Sequence, residues 1–507
     1  MAQQLQSITI TAPGFAGINT QDAPLAQDPS FAAVADNCVI DKEGRVASRK
    51  GYETITTNKT ILSGNNIESI IQFVAEDGST VVISAGNLKL FTGTTTLVDA
   101  TPAAYTITAN DWKMVEFNNH VYLFQAGHAP LIYADHTGTI EKIDDHAHST
   151  GVAPLGNDVL AAFGRLWVSD IGTEKSIIYW SDLLNGAGWT GGSTGSIDIT
   201  KVWPTGYDTI TSLEAHNGFL VIFGRRSIVI YSGAEDPTTM VLSDTISNIG
   251  LVSRDAKVST GKDLIFLDDS GVRSIARTIQ EKSAPIGDIS KNVNSDIKSL
   301  YSAETGKIKM HYSAKEAFIL LNFPDLGVVY CFDTRFPLQD GSFRVTTWSH
   351  IGPKCFASTV EEILYLGNAE GISQYNGYKD NLVSFQLRYF SHPLSFGDTS
   401  NLKFLKKINL TTFNGAGSTI TLNWAYDYSD AYKKQAYTLP ESNVAQYNIS
   451  EFNTSAEYSS SIALIKRKKI NASGQGTVVS VGAENTVNGN SIALQEINIQ
   501  ALMGRIV

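Results

Sequence analysis

A pair of apolar runs separated by a turn recurs along this chain, and that repeat restricts the fold more than any other feature. The stronger run of each pair begins at Val81 (VVISAGNLKLFTG), His120 (HVYLFQAG), Arg165 (RLWVSDIG), Phe219 (FLVIFGRR), Asp263 (DLIFLDDS), Ala317 (AFILLNFP) and Glu362 (EILYLGNA). The intervals are 39, 45, 54, 44, 54 and 45 residues, close to the length of a four-stranded propeller blade. A weaker run precedes each strong one (IESIIQFV, WKMVEFN, VLAAFG, TSLEAH, AKVST, KIKMHYSA, CFASTV), and edge-like stretches such as GSIDIT and FRVTTWSH follow some of them. All are short, rich in β-branched and aromatic residues, and closed by Gly, Asn or Asp, which is strand spacing. Turns such as Glu76-Asp77-Gly78, Asp135 to Gly138, Asp268 to Gly271 and Asn368 to Gly371 separate them.

The strong runs FLVIF, DLIFL and AFILL are apolar at successive positions, so both faces of each strand need cover. Blades packed between neighbouring blades provide it. The chain is therefore expected to be all-β, with a β-propeller of six to eight blades, best taken as seven, over residues 59–385. Two or three unrelated β domains with coincidental spacing are the alternative. In PIGDISKNVNSDIKSL, the spacing of Ile289, Val293, Ile297 and Leu300 predicts a short helix on the fifth unit, with Asp288 and Ser290 as candidate caps.

Outside the repeat, residues 1–58 read as an extended arm and a hairpin that either docks elsewhere or closes the propeller. Residues 386–507 lose the blade period and read as a separate C-terminal β-sandwich. A length of 507 residues with 42% hydrophobic and 18% charged residues excludes a disordered chain or a single small module, and no apolar run suits a membrane helix. Met1 to Ile10 lacks the pattern of a secretory signal. The three cysteines, Cys38, Cys331 and Cys355, are widely spaced and read as small buried hydrophobes.

Net charge is −11, divided as −14 over residues 1–400 and +3 over 401–507. An acidic body argues against wrapping nucleic acid, though not against a channel through which DNA slides, because like charge prevents sticking. Catalytic motifs are weak. Gly191 to Gly195 matches GxSxG around Ser193 but sits in a loop rather than at a strand-to-helix elbow. Asp144, Asp145, His146 and His148, with His136 upstream, are weak metal candidates, since alternate strand residues share a face. A solvated linker between the second and third units is the favoured account of them. Lys466, Arg467, Lys468 and Lys469 form a cationic run, read either as a solvated edge or as a patch facing a partner or DNA. Trp167, Trp180, Trp348 and Trp424 are expected in the core, whereas Trp189 and Trp203 sit in loops and are the sugar-stacking candidates.

Three stretches carry a resemblance to a known family: AVADNCVIDKEGRVASRKGYETI near the start, IGLVSRDAKVSTGKDLIFLDDSGVRSI followed by PIGDISKNV in the fifth unit, and the closing GQGTVVSVGAENTVNGNSIALQEINIQALMGRIV. They resemble the tail nozzle, or tail tubular protein B-like, proteins of short-tailed bacteriophages. The resemblance implies a structural virion protein and no enzyme. It further implies a homohexameric ring below the tail adaptor ring, with tail fibres or spikes as neighbours, passing double-stranded DNA without reading its sequence and retaining it until ejection. Assembly in the host bacterial cytoplasm follows from the same resemblance, and no cofactor is expected. Candidate channel or interface loops are the Gly-rich loop with Gly186, Gly188, Trp189 and Gly195, and the insertion Ser283 to Tyr301 with Asp288 and Lys291. A carbohydrate-binding or polysaccharide-degrading propeller protein is the alternative from another class; a fibre-attachment or head-completion protein is a third.

Overall fold

The computed structural model describes residues 5–134, 139–281, 288–440 and 465–506. His136, the turn 135–138 and residues 283–287 of the insertion lie outside them. The described residues form a β-propeller of six four-stranded blades and one three-stranded blade, with further strands from both ends extending the sheet of the sixth blade and building a separate seven-stranded sheet. Each strong run of the repeat is the second strand of its blade: Thr80–Gly86, His120–Phe124, Arg165–Ser169, Phe219–Gly224, Leu264–Asp268, Phe318–Phe323 and Leu364–Asn368. Each weaker run is the strand nearest the axis. The buried second strands explain the apolar pattern, because neighbouring blades cover both faces: Phe223 of the fourth blade meets Phe266 of the fifth at 5.1 Å between ring centroids.

The inner strands touch in turn around the axis, from Ile67–Val74 through Lys113–Phe117, Asp158–Ala162 and Ile210–His216 to Lys257–Ser259, Lys309–Ser313 and Cys355–Ser358, which returns to Ile67–Val74. Closure comes from the start of the chain. Tyr52–Thr54 pairs antiparallel with Gly371–Tyr375 as the outer strand of the last blade. Gly51 sets the approach: a Cβ there would lie 1.9 Å from the Lys379 carbonyl oxygen. Arg49, fully buried, clamps the junction, donating through Nη1 and Nη2 to the two Asp380 oxygens at 2.8 and 2.7 Å and lying over the Phe385 ring.

The first 58 residues thus serve more than one sheet. Leu5–Thr11 pairs along Ile492–Ile506 near the other end of the chain. Gly17–Ile18 and Phe31–Asp36 lie between the outer strand of the sixth blade, Arg344–Ser349, and Phe385–Ser391. A ten-stranded sheet therefore runs from the sixth blade into the C-terminal region, out to Thr419–Tyr426 and Lys433–Thr438. Residues 386–507 were expected as a separate sandwich; they do supply two facing sheets, but one of these is continuous with a blade, and a single apolar cluster joins Phe266 and Phe332 to Leu410, Trp424 and Ile497. Pairing across hundreds of residues leaves no trace in a local period, which is why the sequence suggests a boundary that the packing bridges.

The helix on the fifth unit spans Asn294–Ala303 and follows a 3-10 turn, Lys291–Val293. Ile289, Val293 and Ile297 are buried as the spacing predicts, and Leu300 packs against them. Neither expected cap works as one. Ser290 Oγ donates to Asn294 Oδ1 and accepts from the Val272 amide, and Asp288 accepts from Asn294 Nδ2 and pairs with Arg273. A second helix, Ile275–Glu281, extends the last strand of the fifth blade. No described helix is long and apolar enough to cross a membrane.

Candidate functional site: a charge network on the propeller axis

A propeller brings one strand of every blade to its axis, so residues about one blade length apart in sequence converge there. In this chain several of those strands carry a charged side chain. Lys113, Asp158, Glu214, Lys257 and Lys309 belong to the inner strands of blades two to six, and Asp111, Arg254 and Asp255 to the turns leading into them. Arg254 is the hub. Its Nε and Nη2 donate to Asp255 Oδ2 at 2.9 and 2.7 Å, Nη2 pairs with Asp111 Oδ2 at 3.0 Å, and Nη1 donates to the Asn157 carbonyl and Oδ1, both at 3.0 Å.

The lysines complete the web. Lys113 Nζ donates to Asp255 Oδ1 at 2.8 Å, Lys309 pairs with Asp111 Oδ1 at 2.8 Å, and Lys257 bonds Glu214 at 2.5 Å. Asp158 Oδ2 accepts from Ser212 Oγ and the Leu213 amide at 3.0 and 2.7 Å. These four cations balance these four carboxylates. A cavity of about 190 Å³ remains beside them, lined in part by Ser69, Trp112, Cys355 and Phe356.

Burial by itself would raise the pKa of Asp255, but Arg254, Lys113 and Lys309 outweigh it and hold the carboxyl well below its usual range. Asp111 and Glu214 are likewise lowered, against burial, by Lys309 with Arg254 and by Lys257. At Asp158 burial wins and the pKa rises despite Lys113 and Lys257. His311, on the inner strand of the sixth blade, stacks on Phe356 at 5.9 Å, and burial pushes its pKa down to about 4. Carboxylates engaged by cations and amides in this way are poor general bases. The network is suited to fixing the mutual register of blades, a specificity role for buried ion pairs.

A pH dependence follows. A histidine with a lowered folded pKa binds fewer protons than the unfolded chain, so stability is lost as pH falls from about 6.5 toward 4. His392, also lowered by burial, adds to this limb. Asp255, Asp111 and Glu214 add stability that is present above the unfolded values near about 4 and disappears as pH falls through their depressed folded values. Asp158 works in the opposite direction and softens the decline. Urea midpoints measured from pH 7 to 3 are expected to fall in two stages, with His311→Asn shortening the upper one and leaving the lower.

The residues singled out in the sequence lie elsewhere and do not assemble into one site. Asp144 Oδ1 accepts from the Ala153 amide at 2.9 Å, His146 Nδ1 sits 2.7 Å from Glu141 Oε1, and the His146 ring lies edge-on to both His120 and His148. Among the described residues no group of three or more His, Cys, Asp or Glu side chains is arranged to hold a metal. In the Gly-rich loop, Gly186 is buried against Tyr122 and Leu166, half-buried Gly195 lies against the Trp180 indole, and Gly188 accepts from the Asp182 amide at 2.9 Å. Trp189 is half-buried in the same packing. Ser193 bonds Asp182 and Arg165 and has no histidine beside it among its recorded hydrogen-bond partners.

Trp203, a sugar-stacking candidate from sequence, is a core residue whose Nε1 donates to Ser176 Oγ at 3.1 Å, so it offers no stacking face. Trp167, Trp180, Trp348 and Trp424 are buried, as are the three free cysteines. Asp288 and Lys291 lie on the fifth blade, where Lys291 Nζ donates to Asp340 at 2.8 Å and the following helix holds the N-terminal arm through Gln21 and Thr20. Strand alternation divides the cationic run. Lys466 and Lys468 share one face, with Lys468 Nζ 3.8 Å from the Tyr437 ring centre, while Arg467 and Lys469 occupy the other beside Lys407.

The axis network was missed because no local motif marks it. The available signal was a charged residue within several of the weak runs: Lys113 in WKMVEF, Glu214 in SLEAH, Lys257 in AKVST and Lys309 in KIKMHY.

No family model and no curated protein matches the chain. Among solved structures, YCF48 bound to D1 peptide is similar at 13% identity, covering 65% of this chain and 97% of that one with a TM-score of 0.36. The Neurospora crassa Pan2 WD40 domain is similar at 9% identity, with 66% and 98% covered and a TM-score of 0.38. An exo-beta-1,3-galactanase from Phanerochaete chrysosporium is similar at 10% identity over 92% of this chain and 100% of its own, with a TM-score of 0.28.

Proposed function

We propose that this chain is a structural subunit of a short-tailed bacteriophage tail, a nozzle protein that assembles as a homohexameric ring below the tail adaptor and conducts DNA. The observation that carries this reading is where the segments resembling such proteins fall in the fold. Residues 249–275 bring Arg254, Asp255 and Lys257 to the axis, and residues 33–55 bring Asn37, Arg49 and the closing strand Tyr52–Thr54. The resemblance therefore rests on residues that build and close the propeller, as expected of an architectural part. An axis occupied by paired charges supports the same reading over that of a propeller that turns over substrate there. The net charge of −11 in each copy supports passage of a polyanion without adhesion.

Cryo-electron microscopy of particles containing the chain tests the proposal. Six copies around the axis at the distal end of a short tail are expected. A single copy per particle, or a location away from the tail axis, sinks it.

A further inference from the structure

A groove of about 620 Å³ opens on the C-terminal part of the ten-stranded sheet, on the face opposite its apolar core. Strand alternation builds it. Along Phe385–Ser391, Leu387 and Tyr389 point into the core while Gln386 and Arg388 are exposed, and register places Gln386 beside Thr486, and Glu484 between Arg388 and Thr421. Asn488 and Asn490, from the turn after Val479–Val487, close one side. Gln386, Thr421, Thr486, Asn488 and Asn490 are neutral and hydrogen-bonding, and Glu484 is the single charge in the lining.

Glu484 is held in place. Its Oε2 accepts from Asn423 Nδ2 at 3.0 Å, and Asn423 is only 1% exposed. Arg388, its neighbour across the strand pair, donates instead to Asp36 at 2.9 Å. Among the described residues Glu484 has no other recorded side-chain partner, so one carboxylate oxygen remains available as an acceptor. Farther along the same face Phe390 lies on Gly482, where an added Cβ would meet the ring at 2.2 Å, and Tyr432 stands edge-on to it at 5.3 Å. An aromatic ring therefore lies on the same face as the groove, beyond Arg388 and Glu484 and outside the groove's own lining.

This chemistry selects its ligand. The one cation beside Glu484, Arg388, is engaged by Asp36, so the groove offers phosphates and acidic peptides a carboxylate and no free cation, and a lone carboxylate among neutral groups is a weak cation cage. Hydroxyls, amides and one fixed carboxylate instead match the mixed donors and acceptors of vicinal sugar hydroxyls, and an aromatic surface matches the C–H face of a sugar ring. We infer that this groove, built around Glu484, Thr421, Gln386 and Asn490, binds a neutral oligosaccharide. The inference is independent of the nozzle reading, since it concerns only the groove.

Saturation-transfer NMR on the full chain with maltohexaose, cellohexaose and chitohexaose tests it. Transfer to at least one of the three is expected, weakened about tenfold or more by Glu484→Gln and by Asn490→Ala, because a groove built to bond hydroxyls loses most when a partner is removed. Lys262→Ala, on an exposed turn of the fifth blade, is expected to leave it unchanged. Absence of transfer with all three sugars overturns the inference, as does binding that survives both substitutions at unchanged melting temperature. Should Glu484→Gln fail to fold, undiminished binding by Asn490→Ala, which alters only a turn, overturns it equally.

Discussion

Replacing Arg254 by alanine is expected to lower the unfolding free energy by about 3–5 kcal/mol, the range for removing one partner of a buried ion pair. The guanidinium is 7% exposed at its side chain and satisfies Asp255, Asp111 and Asn157 together. Without it, two buried carboxylates face only Lys113 and Lys309, and burial raises the cost of keeping them charged. Urea denaturation followed by tryptophan fluorescence measures the effect. The same variant should have a shallower acid limb, because the largest charge lowering Asp255 has gone. Lys89→Ala is the control: its pair with Asp99 is at the surface, with side chains 43% and 36% exposed, and its loss should cost no more than about 1 kcal/mol. Equal effects for the two variants would show that the axis network does not hold the blades in register.

Deleting residues 1–58 is expected to abolish the fold. The deletion removes the outer strand of the last blade, the Arg49 clamp, the strand along Ile492–Ile506, and the two strands that join the sixth blade to the C-terminal sheet. It also removes buried Phe15, Ile18, Ile40 and Val46 from the shared core. At about 1.5–3 kcal/mol for each large apolar side chain uncovered, the loss rivals the entire stability of an ordinary domain. Residues 59–507 alone should therefore aggregate, and co-expression with residues 1–58 as a second chain should restore soluble protein, since strand pairing does not require a covalent link. Soluble 59–507 with an unchanged melting temperature would show that the arm is an appendage.

The blade repeat was legible because its causes are local. Strands such as Phe219–Gly224 and Phe318–Phe323 are buried on both faces, so they are apolar at successive positions. The turns between strands need residues that tolerate their geometry: Gly78 has φ of +81° and Asp77 Oδ1 accepts from the Ser79 amide. The helix on the fifth unit was legible from the spacing of Val293, Ile297 and Leu300, although its start was displaced because Ser290 and Asp288 bond to strand and side-chain partners instead. Trp203 misled because a tryptophan in a loop sequence was equated with an exposed one, whereas its loop folds over the fourth blade's core.

Composition, turn residues and the period of the apolar runs thus determined an all-β chain of repeating blades, since each depends on residues within a few positions of one another. Which segments join those blades was decided only by tertiary structure. The closing strand is some 320 residues from its partner in sequence, and Asp111, Asp158, Glu214, Arg254 and Lys309 meet only because ring closure brings successive inner strands to one axis. The groove around Glu484 has the same origin, since Gln386 and Thr486 become neighbours only through the pairing of strands a hundred residues apart. A side chain encodes its own burial and turn preference; its distant neighbours are set by the closure of the whole chain.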